Sequence, residues 1–179
     1  MALLEWSDAL ALGVESMDAT HREFVDQLNA LHEASDETFL ALLDRFIDHT
    51  VEHFEQERRS MADIDFPPMH SHVQEHDGVL DVMREVRRMV SEGKGTVGKV
   101  LTKELAPWFA NHAATMDATL AFFLRCVERG IDPPQALASL QQGACATPGA
   151  VADGCVHGVT GCESAAANAT DPSSSAANA

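Results

Sequence analysis

His53-Phe54-Glu55-Gln56-Glu57 and His72-Val73-Gln74-Glu75-His76 are the two stretches that decide how this chain folds. Residues four apart on an α-helix lie about 40° from one another, so His53 with Glu57, and His72 with His76, each aim two donor atoms from one face. Those pairs are two halves of a metal site. His21 upstream and His112-Ala113-Ala114-Thr115-Met116-Asp117 downstream place a donor on every one of four expected helices. Five imidazoles and two carboxylates exceed what one ordinary ion needs. The inventory suits two transition-metal ions bridged by carboxylates. Mixed imidazole and carboxylate ligation points first to iron, with zinc, manganese and copper as open alternatives.

Working outward, the helix that carries His53 and Glu57 begins after Ser35-Asp36, an expected N-cap, and runs to about Asp63. Its stripe is Phe39, Leu43, Phe46, Thr50, His53, Glu57 and Met61. The donors therefore lie inside the stripe that should be buried. Before it, about Asp18 to Ala34, Phe24 or Val25, Leu28 and Leu31 recur at helical spacing after His21. Met1 to Met17, with Trp6 and Gly13, reads as an irregular arm packed over the bundle.

Phe66-Pro67-Pro68 ends the second helix, because proline lacks an amide hydrogen and disfavours a helical residue before it. A third helix, about Met69 to Glu92, carries His72, His76, Val79 or Leu80, Met83, Val86 and Val90, and Gly93-Lys94-Gly95 closes it. Thr96 can cap a fourth, with Val100, Leu101, Leu105, Trp108, His112, Met116, Leu120 and Phe123, ending near Arg129-Gly130. Pro107 should kink it one turn before His112. Four long helices with short links give an all-α, up-down-up-down four-helix bundle over residues 1–130, with metal donors projecting inward.

Beyond it the composition changes. No Lys or Arg follows Arg129, and Ala, Gly, Ser and Thr dominate residues 131–179, so a low-complexity, disordered C-terminal tail is expected, with a short helix over Gln135 to Gln142 as an option. The 179 residues, 45 % of them hydrophobic, suffice for one domain with a real core. A formal charge of -16 argues against nucleic acid or an anionic membrane surface as partner. No apolar run is long enough to span a membrane, and Met1 to Trp6 lacks the basic and apolar regions of a secretory signal, so a cytoplasmic location is expected. Cys126, Cys145, Cys155 and Cys162 do not form the pattern of a disulfide-stapled secreted scaffold. Cys155-Val156-His157 with Cys162 could bind a metal or respond to oxidation; the bland alternative is a linker.

Any single histidine is more often a satisfied core or surface residue than a ligand; the weight lies in the combination. Burying so many polar groups unpartnered would cost several kcal/mol, at roughly 1 to 3 kcal/mol for each, and a metal removes that cost. Asp117 fits least well, because five residues from His112 is about 140° around an ideal helix, which favours Met116 on that face. His32, His49, His70 and His157 fall outside the pattern and read as solvated or structural. A ferritin-like di-metal bundle is the rival, but it needs Glu-x-x-His pairs, and this sequence has none.

The Trp-containing arm, Gly13 through Asp18 leading to His21, His53-Phe54 with Glu57 and Met61, Phe66-Pro67 ahead of His72 and His76, and Trp108-Phe109 ahead of His112 and Asp117 resemble the bacterial hemerythrin family. The resemblance covers about Trp6 to Arg129 and implies a non-haem diiron centre with an oxo or hydroxo bridge. His72, His76 and His112 would hold one iron, His21 and His53 the other, with Glu57 and Asp117 bridging. It implies an O2-binding protein rather than an enzyme, serving oxygen storage, delivery or sensing. The alternatives are a diiron redox protein acting on peroxide, nitric oxide or iron, and an oxygen- or redox-sensing signalling module. Implied partners are O2 itself and an oxygen-consuming enzyme or signalling protein, with the chain a monomer or weak oligomer. An apolar pocket lined from Phe24, Val25, Leu28, Leu105, Trp108 and Phe109 should keep water from the ligand. His49 and Phe66 stand where relatives often carry tyrosine, and Gln56 where glutamate is common; none of these removes a donor.

Overall fold

The computed structural model describes residues 2–132. Among them the backbone forms α1 (Glu15–Glu33), α2 (Asp36–Asp63), α3 (Met69–Ser91), α4 (Thr96–His112), a π-turn (Ala113–Asp117) and α5 (Ala118–Glu128). The last three run on without a break and act as one long helix, so the architecture is the four-helix bundle expected. Helix α1 packs on α2 and α4, α2 on α3, and α3 on α4, the ring of neighbours that an up-down-up-down chain with short links produces. Among the described residues no helix is long and apolar enough to cross a membrane. The expectations for the short helix over 135–142, for the rest of the tail and for Cys145, Cys155, Cys162 and His157 fall outside the described residues.

In α1, α2 and the long last helix the buried stripe runs from apolar residues to donors and back to apolar residues, whereas in α3 the donors His72 and His76 come first, with Leu80 and Met83 after them. In α1 the order is Met17, His21, then Phe24, Leu28 and Leu31; in α2 it is Phe39, Leu43 and Phe46, then His53 and Glu57, then Met61. As a result the core is two clusters. Phe24, Leu28, Phe46, Leu80, Met83, Leu105 and Phe109 belong to the larger, and Met17, Met61, Phe66, Leu120 and Phe123 to the smaller, with the polar residues between them. Burial of these side chains, about 1.5 to 3 kcal/mol each, is what holds the donors in place.

The termini of the helices depart from expectation in small ways. Helix α1 begins at Glu15, three residues before Asp18, because the Asp18 carboxylate accepts the backbone N–H groups of Leu12 and Gly13 at 2.7 and 3.0 Å and ties down the arm. Arg125 donates to the Leu12 carbonyl from the far helix. Ser35 is the N-cap of α2 in backbone terms, but its carbonyl, not its hydroxyl, takes the Thr38 and Phe39 amides. Gly95, not Thr96, occupies the N-cap of α4. Helix α4 continues through Pro107, and the irregular backbone lies further on, at the π-turn.

The arm packs on the bundle through Asn29, whose side-chain oxygen accepts from the Leu3 and Leu4 amides at 2.8 and 3.1 Å while its amide donates to the Leu4 carbonyl at 2.7 Å. At Gly98 the Phe39 ring lies so close to the α4 backbone that an added Cβ would meet it at 2.4 Å. A side chain there would force the ring to shift.

Candidate metal centre

All seven donor residues arrive in one place. His21 comes from α1, His53 and Glu57 from α2, His72 and His76 from α3, His112 from the end of α4 and Asp117 from the end of the π-turn, and none is more than 4 % exposed. The i,i+4 pairs share a face because α2 and α3 are regular there.

Asp117 joins them by a different route. Between His112 and Asp117 the backbone widens to π hydrogen bonding, which spends an extra residue on one turn, so a residue five positions on returns to nearly the same face. Its carboxylate Oδ1 then stands 3.1 Å from Nε2 of His112 and 3.1 Å from Nε2 of His72. A regular helix would put Met116 on that face, but the helix is not regular at that point.

The donors form two opposed groups that share the carboxylates. On one side are His72, His76 and His112, with the Nε2 atoms of the last two 2.9 Å apart, facing Glu57 Oε2 at 3.5 and 3.4 Å from His72 and His76, and facing Asp117 Oδ1. On the other side Glu57 Oε1 lies 3.1 Å from His53 and 3.7 Å from His21, and Asp117 Oδ2 lies 3.4 Å from His21. Each carboxylate thus turns one oxygen to each group.

The electrostatics are those of an anionic core that seeks positive charge. Burial and the neighbouring Asp117 charge push the Glu57 carboxyl up, yet bonds with His21, His53 and His72 hold it well below the usual range. Burial likewise opposes ionisation of Asp117, and His112, His21 and His72 overcome it. Burial disfavours the imidazolium of His21 and of His72, but the two carboxylates outweigh that and lift both to about 9. His76 goes the other way, to about 3, since burial and the His112 and His72 imidazoles outweigh the carboxylates. Protons on His21 and His72 do what a cation would do better.

The donor chemistry fits a metal. His21 Nε2, His72 Nε2, Glu57 Oε2 and both Asp117 oxygens are buried without a hydrogen-bond partner of good geometry among the described residues. Such groups cost about 1 to 3 kcal/mol each unless something binds them. Two sets, Glu57 with His72, His76, His112 and Asp117, and Glu57 with His21 and His53, have donor atoms within 4.8 Å of one another and could each hold an ion.

Aromatic rings form the walls, and spacing alone did not assign them. Phe109 meets His21 edge-on at 5.1 Å and stacks on Phe24 at 4.2 Å, so these two expected pocket residues border the two-histidine side. Trp108 does not; it stacks on His112, on the three-histidine side, while Phe54 stacks on His76 at 3.7 Å. The signal available in the sequence was position, since Phe54 and Trp108 each lie beside or one turn from a donor. Of the other histidines, His32 pairs with Thr102 through Nδ1 at 2.9 Å, and His70 is exposed. His49 is half-buried, its ring 6.3 Å from that of His53, and burial together with His53 pushes its pKa down.

Comparison with known proteins agrees with this geometry. The family described as hemerythrin HHE cation binding domain matches residues 12–122. A bacteriohemerythrin of Ralstonia nicotianae is 44 % identical over 132 residues, 74 % of this chain and 95 % of that protein. One from Stenotrophomonas maltophilia is 30 % identical over 125 residues, 68 % of this chain and 81 % of that one. Among solved structures, a crystal structure of a hemerythrin with a leucine replaced by tyrosine superposes with a TM-score of 0.65 at 26 % identity, covering 69 % of this chain and 98 % of that one. A hemerythrin leucine-to-alanine mutant gives 0.62 at 27 % identity, over 66 % and 94 %. With four helices, seven converging buried donors and these relatives, the chain belongs to the hemerythrin family.

Proposed function

We propose that the chain binds O2 reversibly at a carboxylate-bridged pair of iron ions held by His21, His53, Glu57, His72, His76, His112 and Asp117. The observation that carries the reading is the sharing of Glu57 and Asp117, each with one oxygen beside two imidazoles of the three-histidine group and the other beside the two-histidine group, Glu57 at His21 and His53 and Asp117 at His21. Counting donors, the three-histidine position has five from the protein and the two-histidine position four, so the latter keeps room for an exogenous ligand. When bound, a ferrous pair supplies the two electrons with which O2 can be held and given back.

The protein's own residues do the rest. Glu57 and Asp117 stay ionised through the neutral range and tie the two positions together. His21 and His53 leave their side of the centre facing Phe24 and Phe109, both essentially buried, and those rings exclude the water and outside protons that would let the ligand leave in reduced form, with the metal pair left oxidised. Residues 1–130 serve as the binding unit in this reading, with 131–179 an appended tail.

The test is anaerobic loading with ferrous ion followed by repeated cycles of O2 addition and removal under argon, watched by visible absorption. A charge-transfer band that comes and goes over many cycles is the expected result. One irreversible oxidation would replace this reading with peroxide, nitric oxide or iron handling.

A further inference from the structure

Histidine ligands ordinarily have their ring plane fixed by a hydrogen bond from the outer nitrogen to a carboxylate, carbonyl or water. For His112 no described residue supplies that bond to the buried Nδ1. A neighbouring ring is placed to set the angle of the imidazole. The Trp108 indole lies over it, one helical turn earlier in α4, with ring centres 4.9 Å apart and planes 20° from parallel.

Trp108 is itself anchored from the neighbouring helix. Its indole N–H donates to Glu75 Oε1 at 2.9 Å, and Glu75 lies on α3 between His72 and His76. The bond to a solvated carboxylate is charge-assisted, which makes it stronger than a neutral one. Phe54 completes the wall, stacked on His76 with planes 2° from parallel and edge-on to Trp108 at 6.3 Å. On this side of the centre, stacking therefore takes over the orienting role of a hydrogen bond, and Glu75 fixes the stack.

We propose that Glu75 is a positioning residue that, through Trp108, holds His112 in its binding orientation and so governs how long the three-histidine side retains its ion. This rests on the metal-centre reading above and adds an outer residue to it. Without the Glu75 bond the indole can swing toward water, uncovering one face of His112 and freeing its ring to turn.

The test uses the full chain loaded anaerobically with ferrous ion, as wild type, Glu75→Gln, Glu75→Ala, Trp108→Phe and the Glu75→Ala/Trp108→Phe double variant. Iron release into excess chelator is timed, and the indole N–H resonances are read by NMR. Glu75→Ala should release iron from the three-histidine side about tenfold faster, the lower end of what losing an outer partner costs. Glu75→Gln should stay near wild type, because an amide oxygen still accepts. Trp108→Phe, which keeps a ring but loses the donor, should match Glu75→Ala, and the double variant should be no faster than either. The Trp108 resonance should move in Glu75→Ala while that of Trp6 stays. Equal release from wild type and Glu75→Ala, or additive effects in the double variant, would overturn the role of Glu75. Failure of the wild type to take up ferrous ion would instead overturn the metal reading itself.

Discussion

Helix α3 carries its two donors, His72 and His76, four residues apart and stays a regular α-helix; the last helix carries His112 and Asp117 five apart and opens into a π-turn between them. Both solutions bring two donor atoms to one face. The difference teaches that the site, not local helix preference, sets the backbone. In α3 the i,i+4 relation comes free with the helix, whereas the extra residue between His112 and Asp117 has to be absorbed as a local widening. The two-cluster core tolerates this, since Phe109 lies buried ahead of the π-turn, and Leu120 and Phe123 lie buried after it.

Deletions give the largest contrast. Removing Val73 from α3 turns His72 by about 100° relative to His76, Leu80 and Met83, which should abolish metal uptake and cost about 1 to 3 kcal/mol as the buried His72 falls out of phase. Removing Ala114 from the π-turn should do neither. The segment should close to a regular helix with Leu120 and Phe123 still inward and Asp117 four residues from His112, with thermal unfolding within a few degrees of wild type. Circular dichroism melts and metal titration of both deletions check this; equal damage from the two would show that the π-turn is not an added residue.

Next in size is the loss of one donor. Asp117→Ala strips an oxygen from both positions and should weaken uptake of both ions by more than about a hundredfold, beyond what outer partners cost. His53→Ala should spare the three-histidine position and leave about one ion per chain. Metal analysis after desalting tells these apart, and identical stoichiometry in the two variants would contradict the shared role of Asp117.

A smaller effect is expected with pH. His21 and His72, raised to about 9, hold protons at neutral pH that a metal must displace. Uptake of zinc or ferrous ion at pH 7 should release roughly two protons per chain, and apparent affinity should rise with pH and level off above about 9. The carboxylates, held low, stay anionic across that window. Calorimetry in buffers of different ionisation enthalpy counts the protons; a pH-independent affinity would mean that these imidazoles are already neutral.

The smallest is a control away from the donors. Gly98→Ala forces the Phe39 ring to move, which should cost about 1 to 3 kcal/mol of stability and leave ion stoichiometry unchanged.

Most of this was legible in the chain because most of it follows from helical spacing. The α2 and α3 stripes, the proline break at Pro67-Pro68 and the Gly93 closure are local signals, and the helices end within a few residues of where those signals place them. The π-turn was not legible, since nothing in Ala113-Ala114-Thr115-Met116 departs from ordinary helix; family resemblance pointed to Asp117, and the backbone explains it. Nor were the clamps: those of Asp18 on Leu12 and Gly13 and of Asn29 on Leu3 and Leu4 depend on how the irregular arm turns back on α1, and that of Glu75 on Trp108 depends on which helices are neighbours. Trp108 was expected in the pocket, and its place against His112 follows from facing α3, not α1.

Anomalous diffraction at the iron edge from crystals of the ferrous-loaded chain should show two iron peaks roughly 3.5 Å apart, one flanked by His72, His76 and His112, the other by His21 and His53, with Glu57 and Asp117 reaching both. A single peak, or two peaks with Asp117 bound to neither, would contradict a carboxylate-bridged pair.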